Sequence, residues 1–189
     1  IPMNYRSVLD VNQTEQAIKL VKDFFQLNLA SELRLRRVTA PLFVKNGTGI
    51  NDDLNGIERT VSFPIREMKE IRAEIVQSLA KWKRVRLKEF NIEAGKGLLT
   101  DMRAIRPDED LSPIHSIYVD QWDWEKHILP EQRALKYLKD TVESIYEVLK
   151  DTERDLCEAF PGFSPELPDK IYFIHSEELL KQFPALSVI

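Results

Sequence analysis

The sequence predicts an α+β protein: a mixed sheet, largely hairpin-connected, with helices packed against it. Residues 98–125 form two extended runs around a charged, proline-bearing loop at 106–115. Long helical patterns stand at 14–32 and 131–158. The strands do not alternate regularly with helices, which separates this chain from the doubly wound α/β class.

The first helix starts at Asn12-Gln13-Thr14-Glu15, with Asn12 as the expected cap and Glu15 three residues on. Ile18, Val21, Phe25 and Leu29 then recur at helical spacing. Past Glu32 the pattern is extended, through Leu33, Leu35 and Val38 and then Pro41-Leu42-Phe43-Val44, where the proline suggests an edge or a strand start. Residues 45–56 are an Asn- and Gly-rich loop. A strand is expected at 60–65, an ambiguous charged stretch at 66–72, and a short strand at 74–79. A basic helix follows from Ala80 to about Phe90, carrying Lys81, Lys83, Arg84, Arg86 and Lys88. Leu135, Leu138, Val142, Ile145, Leu149, Thr152 and Leu156 alternate spacings of three and four, which makes 131–158 the clearest helix. Ile171-Tyr172-Phe173-Ile174 has the character of a short buried strand, and Ser176 is the expected cap of a last helix at 177–183.

The most informative stretch is the second extended run, 116–125. Side chains alternate between the faces of a strand, so Val119, Gln121, Asp123 and Glu125 share one face while Tyr118, Trp122 and Trp124 take the other. Polar groups backed by aromatics suit a floor that meets a polar ligand; a solvated sheet face reads the same way. Arg106 enters the loop from the first run. A guanidinium there suits a phosphate, or pairs with Asp108, Glu109 or Asp110.

At 189 residues the chain has room for one domain with a sizeable core, and 43% hydrophobic with 31% charged residues argues against disorder. The expected division is a lead-in at 1–11 and one domain at 12–189. A net charge of −4 and a pI near 5.5 do not suggest a general nucleic-acid binder. The single Cys157 cannot form an internal disulfide. No signal peptide and no apolar run of membrane-spanning length is read, so a cytoplasmic protein without membrane or nucleic-acid partners is expected. No G-x-x-x-x-G-K-[ST] loop or G-x-G-x-x-G follows a strand, so ATP, if bound, is not held by those devices. His115, His127 and His175 show no metal-ligand spacing with Cys157, and no metal site is proposed among them.

Three blocks carry a resemblance: Arg106-Pro107-Asp108-Glu109-Asp110 with Tyr118-Val119-Asp120-Gln121-Trp122-Asp123-Trp124-Glu125; Gln77-Ser78-Leu79-Ala80-Lys81-Trp82-Lys83-Arg84; and the loop from Gly47 through Asp52 and Asp53 to Gly56. In this order and spacing they resemble the ammonia-dependent asparagine synthetase (aspartate–ammonia ligase) family, whose fold is like that of class II aminoacyl-tRNA synthetases. The resemblance covers about 14–184 and implies an antiparallel sheet flanked by helices. It stops short of the family's C-terminal part, so the fold is expected to be incomplete at that end. The implied reaction makes L-asparagine from L-aspartate, ammonia and ATP through an aspartyl-adenylate, with release of AMP and pyrophosphate. Mg2+ is the implied companion of ATP. The segment 14–44 resembles the family's dimer-forming motif and implies a homodimer.

The resemblance also implies roles. Arg106 meets the α-phosphate; Asp123 binds the substrate ammonium; Gln121 positions the substrate and its adenylate; Ser78 and Lys83 bind the carboxylate end. Asp52, with Asp53 open as a one-residue shift, recruits ammonium and takes its proton. Each has a plainer reading: an Asx turn for Asp52, a solvated face for Gln121 and Asp123, and a solvated helix face for Lys81, Arg84, Arg86 and Lys88. A non-catalytic synthetase-like module for dimerisation or amino-acid binding is the alternative function.

Overall fold

A computed structural model describes residues 5–184. Helix α1 (Val11–Glu32) is capped by Asp10, two residues before the expected Asn12. The Asp10 carboxylate accepts the Gln13 amide at 2.8 Å, and the Gln13 side chain accepts the Asp10 amide at 3.1 Å. This reciprocal pair satisfies two orphan donors, so the helix starts there and the similarly spaced Asn12 and Glu15 lie inside it. Arg34, at φ 56°, turns the chain from the helix end into strand β1 (Leu35–Arg37).

The other elements are β2 (Phe43–Lys45), β3 (Ser62–Ile65), β4 (Met68–Ile75), α2 (Ala80–Glu89), β5 (Gly97–Ile105), β6 (Tyr118–Lys126), α3 (Leu135–Ala159) and α4 (Ser176–Gln182). They bear out a mixed α+β architecture, with the strands divided between two small sheets. One has the order β1-β5-β6 and the other β2-β4-β3. The second is wholly antiparallel, and β5 and β6 pair antiparallel from Gly97↔Lys126 to Ile105↔Tyr118. β1 runs parallel to β5, so the first sheet is mixed. Gly97 is required where these three strands meet: a Cβ there would stand 2.4 Å from the Glu125 carbonyl oxygen and 2.7 Å from Leu35 Cδ2.

Two cores lie on opposite faces of β5 and β6. Phe25, Leu29, Leu33, Leu35, Leu99 and Val148 join α1 and α3 to one face, with Trp122 and Trp124 packed against them. Val76, Leu79, Trp82, Met102 and Ala104 join α2 to the other. The Val76 carbonyl accepts the Ile105 amide at 3.3 Å and the Val76 amide donates to Leu42 at 3.1 Å, so the β4–α2 turn bridges the sheets.

Several sequence expectations need correction. The charged stretch at 66–72 mostly belongs to β4, whose exposed Lys69, Glu70 and Arg72 account for its charge. Helix α3 starts at Leu135, because Pro130–Gln132 forms a separate 3-10 turn. Residues 171–174 form no strand: no ladder lies beside them among the described residues, Tyr172 is 78% exposed, and Phe173 sits beneath the Lys139 ammonium at 4.9 Å. His175, not Ser176, caps α4, its ring nitrogen accepting the Glu177 amide. Residues 185–189, past the end of the resemblance, lie outside the described residues. Among those described, no helix is long and apolar enough to cross a membrane.

Candidate active site

β6 sorts its side chains as its alternation requires. Trp122 packs against Phe25 of α1, ring centroids 4.7 Å apart, while Val119 packs on the Val76–Trp82 core under α2. In the ladder Met102 stands opposite Gln121 and Thr100 opposite Asp123. Gln121, Asp123 and Glu125 therefore share the α2-facing side, as the period of two predicts. Asp120, on the opposite side, binds Lys22 of α1 at 2.9 Å, and Asp101 lies 3.4 Å from the same amine. Burial pulls the Lys22 ammonium down, but the bond to Asp120 and the two negative charges outweigh it and leave the pKa above its ordinary value.

Helix α2 lays a row of cations over this face. The Lys83 ammonium is bonded to the Asp123 carboxylate, with the Lys83 side chain 4% and that of Asp123 18% exposed. Arg84 reaches Glu125 at 3.6 Å and Lys81 reaches Asp52 at 3.5 Å. Of the residues expected to form a solvated helix face, Lys81 and Arg84 thus pair with carboxylates outside the helix and Arg86 with Glu89 within it, although the Lys81 and Arg84 side chains stay 49% and 68% exposed. A buried ion pair offsets its own desolvation only where its members are well bonded, so Lys83 and Asp123 depend on each other. Beside them Thr100 is fully buried, and its hydroxyl has no hydrogen-bond partner among the described residues.

The loop before β3 is fastened to the β4–α2 turn. Asp52 donates its amide to the Ser78 carbonyl at 3.2 Å, and its carboxylate accepts the Lys81 amide at 3.0 Å. Leu79, the residue at the cap position of α2, supplies no side-chain bond, so Asp52 caps the helix from a distant loop. Asn51 bridges the turn: its amide donates to the Ile75 carbonyl at 3.2 Å and its oxygen accepts the Gln77 amide at 2.8 Å. The Gln77 carbonyl in turn accepts Arg106 Nε at 3.3 Å and a terminal guanidinium nitrogen at 3.2 Å.

Arg106 also faces a polar cavity of about 680 Å³, shared with Leu54, Asn55, Ile57, Arg59, Asp108 and neighbouring acidic residues. Asp108 bonds Arg59 rather than Arg106, accepting its Nε at 2.9 Å and its backbone amide at 2.6 Å. The Arg59 side chain and then its backbone hold the Asp108 carboxyl below its usual range, while Asp108 raises the guanidinium.

Of the six sequence-predicted residues, Asp52 and Ser78 meet through their backbones, Lys83 and Asp123 through their charges, and Gln121 shares the Asp123 face. α2 links these groups, since Ser78 precedes it and Lys83 lies in its first turn. Arg106 touches the residue before Ser78 and is the only one of the six lining the cavity. Asn51 and Gln77 were given no part by the sequence: an asparagine in a glycine-bearing loop signals a turn, and only the fold brings it to the end of β4.

A fixed cation and a fixed anion held together suit a small ligand carrying both signs of charge, and a cavity-facing arginine further along the same sheet face suits a phosphate. The sequence profile of the aspartate–ammonia ligase family matches residues 12–188. This chain is 58% identical over 185 residues to the aspartate–ammonia ligase of Bacteroides thetaiotaomicron, covering 98% of this chain and 54% of that one. It is 55% identical to the enzyme of that name from Parabacteroides distasonis, covering 98% and 54% of the two chains. Identity is 54% to that of Clostridium perfringens, with coverage of 99% and 56%. The chain belongs to the aspartate–ammonia ligase family, and spans about half the length of the curated relatives it matches.

Proposed function

We propose that this chain carries the aspartate-binding and phosphate-facing part of an AMP-forming aspartate–ammonia ligase with a class II synthetase-like fold. The observation that supports it best is the buried Lys83–Asp123 pair. Aspartate brings an ammonium and carboxylates of its own. Entering between the two side chains, it gives Asp123 the ammonium and Lys83 a carboxylate, so neither protein charge is left buried and alone. Ser78 assists at the carboxylate end, and Gln121, which both donates and accepts, positions the substrate and its adenylate.

The first half-reaction joins a carboxylate oxygen of aspartate to the α-phosphorus of ATP and breaks the α–β anhydride bond. Pyrophosphate leaves, and the charge developing on the α-phosphate meets Arg106. In the second, ammonia attacks the acyl carbon, the bond to AMP breaks, and nitrogen loses a proton. Asp52 recruits ammonium and takes a proton from it. Mg2+ travels with ATP in this reading, held mainly by phosphates. Among the described residues no group of three His, Cys, Asp or Glu side chains fits a metal. The reading extends to a cytoplasmic homodimer using the segment 14–44, in which Ile18, Leu27, Leu42 and Phe43 are exposed. Those exposed apolar side chains also suit the alternative, a non-catalytic dimerisation module.

The test is aspartate-dependent exchange of pyrophosphate into ATP by the full-length protein. Arg106→Ala should lower exchange by roughly two to three decades. Asp123→Ala should chiefly weaken aspartate binding. Asp52→Ala should spare exchange more than asparagine formation. Absence of exchange in the parent protein would favour the alternative.

A further inference from the structure

We propose that Asn51 is a positioning residue for Arg106, acting through the backbone of Gln77. The side chain of Asn51 is bonded to the main chain on both sides of Val76, accepting from Gln77 N–H and donating to Ile75 C=O. Asn51 is 6% and Gln77 1% exposed, so water does not readily replace these bonds. They fix the orientation of the turn, and with it the direction of the Gln77 carbonyl. The Gln77 side chain adds a second anchor, donating to the Arg59 carbonyl at 2.9 Å.

The consequence falls on one guanidinium. A guanidinium has five N–H donors. Nε and one terminal nitrogen spend two on the Gln77 carbonyl, which leaves three. One edge of Arg106 is thereby held on the protein while the residue lines the cavity. The backbone leading into it is held too: Ile105 N–H donates to Val76, inside the Asn51 bridge, and Arg106 N–H donates to Ile117 at 2.8 Å. A long, rotamer-rich side chain is thus set in one direction before any ligand arrives, which spares the ordering cost at the moment of reaction. Asn51 touches no reacting atom in this scheme.

The inference rests on the reading of Arg106 as the phosphate-facing group, and the experiment separates the two. In the full-length protein, Asn51→Ala should cut aspartate-dependent pyrophosphate exchange about 10- to 100-fold, the usual cost of a misplaced catalytic group. In an Arg106→Ala background the same change should cost almost nothing further, since what Asn51 positions is gone. Full additivity in that background would overturn the proposal and make Asn51 a residue of general stability. Asn51→Asp keeps the shape and one acceptor if Asn51→Ala fails to fold, and should show the same non-additivity. If Arg106→Ala leaves exchange unchanged, the phosphate reading fails by itself. Positioning is then read from the Arg106 Nε–H resonance. It should exchange slowly with water in the parent and far faster in Asn51→Asp; equal rates would overturn the proposal.

Discussion

Lys83 and Asp123 form a part-buried pair in which the ammonium is the more deeply covered member. With the Lys83 side chain 4% exposed, replacing Lys83 by methionine strands the partner carboxylate. Lys83→Met should cost about 3 kcal/mol in urea unfolding, and Lys83→Met with Asp123→Leu should regain most of it. Equal loss in single and double variants would mean that the pair is not what the site depends on. The period of two in residues 116–125 was enough to put Gln121 and Asp123 on one face, because alternation is local geometry. Lys83, the α2 partner of Asp123, enters the sequence reading only as a carboxylate ligand implied by the resemblance, and Asn51 has no part in that reading. Its bonds join residues 24 and 26 positions away, a separation that no local pattern encodes.

Among the elements, α2 depends most on outside help. Its first turn is capped by Asp52, so Asp52→Ala should destabilise the protein by about 1 kcal/mol and speed exchange of the Lys81 amide. Asp52→Asn keeps an accepting oxygen and should restore the amide protection without restoring a base. The pair thus divides helix placement from chemistry: slow asparagine formation in both variants, with the cap intact only in Asp52→Asn, assigns the carboxylate its chemical part. A second link, Arg59–Asp108, ties the residue 54–59 loop to the β5–β6 loop in the wall of the cavity. Asp108 has a depressed pKa when folded, so the link is fully made above the ordinary aspartate value of about 4 and is lost as pH falls through the lowered one. The Arg59 amide resonance should therefore hold steady through pH 4 and shift only below it; a midpoint at the ordinary value would refute the link. Helix extents were largely legible from periodicity, as the helix expected at 14–32 and found at Val11–Glu32 shows. Residues 171–174 misled because an apolar run records a wish to be covered, and a strand needs a neighbouring ladder as well.

For the whole molecule, the exposed Ile18, Leu27, Leu42 and Phe43 motivate a sedimentation test. The full-length protein should sediment as a dimer, and Leu27→Asp with Phe43→Asp should shift it toward monomer; a parent that is monomeric at every concentration would refute the homodimer. An obligate interface commonly buries about 2,000 Å² or more, beyond what these side chains alone supply. The division into two sheets was not legible from sequence, since strand character says nothing of which strands become neighbours. β6 has a further consequence. Among the described residues it has a ladder on one side only, leaving a nine-residue border of backbone donors and acceptors. Such a border is a template on which stray chains solidify into fibrils. Here Asp120, Asp123 and Glu125 are interspersed along it, and the ammonium and guanidinium groups from α1 and α2 reach down on either flank. In this chain the charges on the floor of the candidate site therefore also guard that border, and a variant stripped of them for study would gain a colloidal hazard.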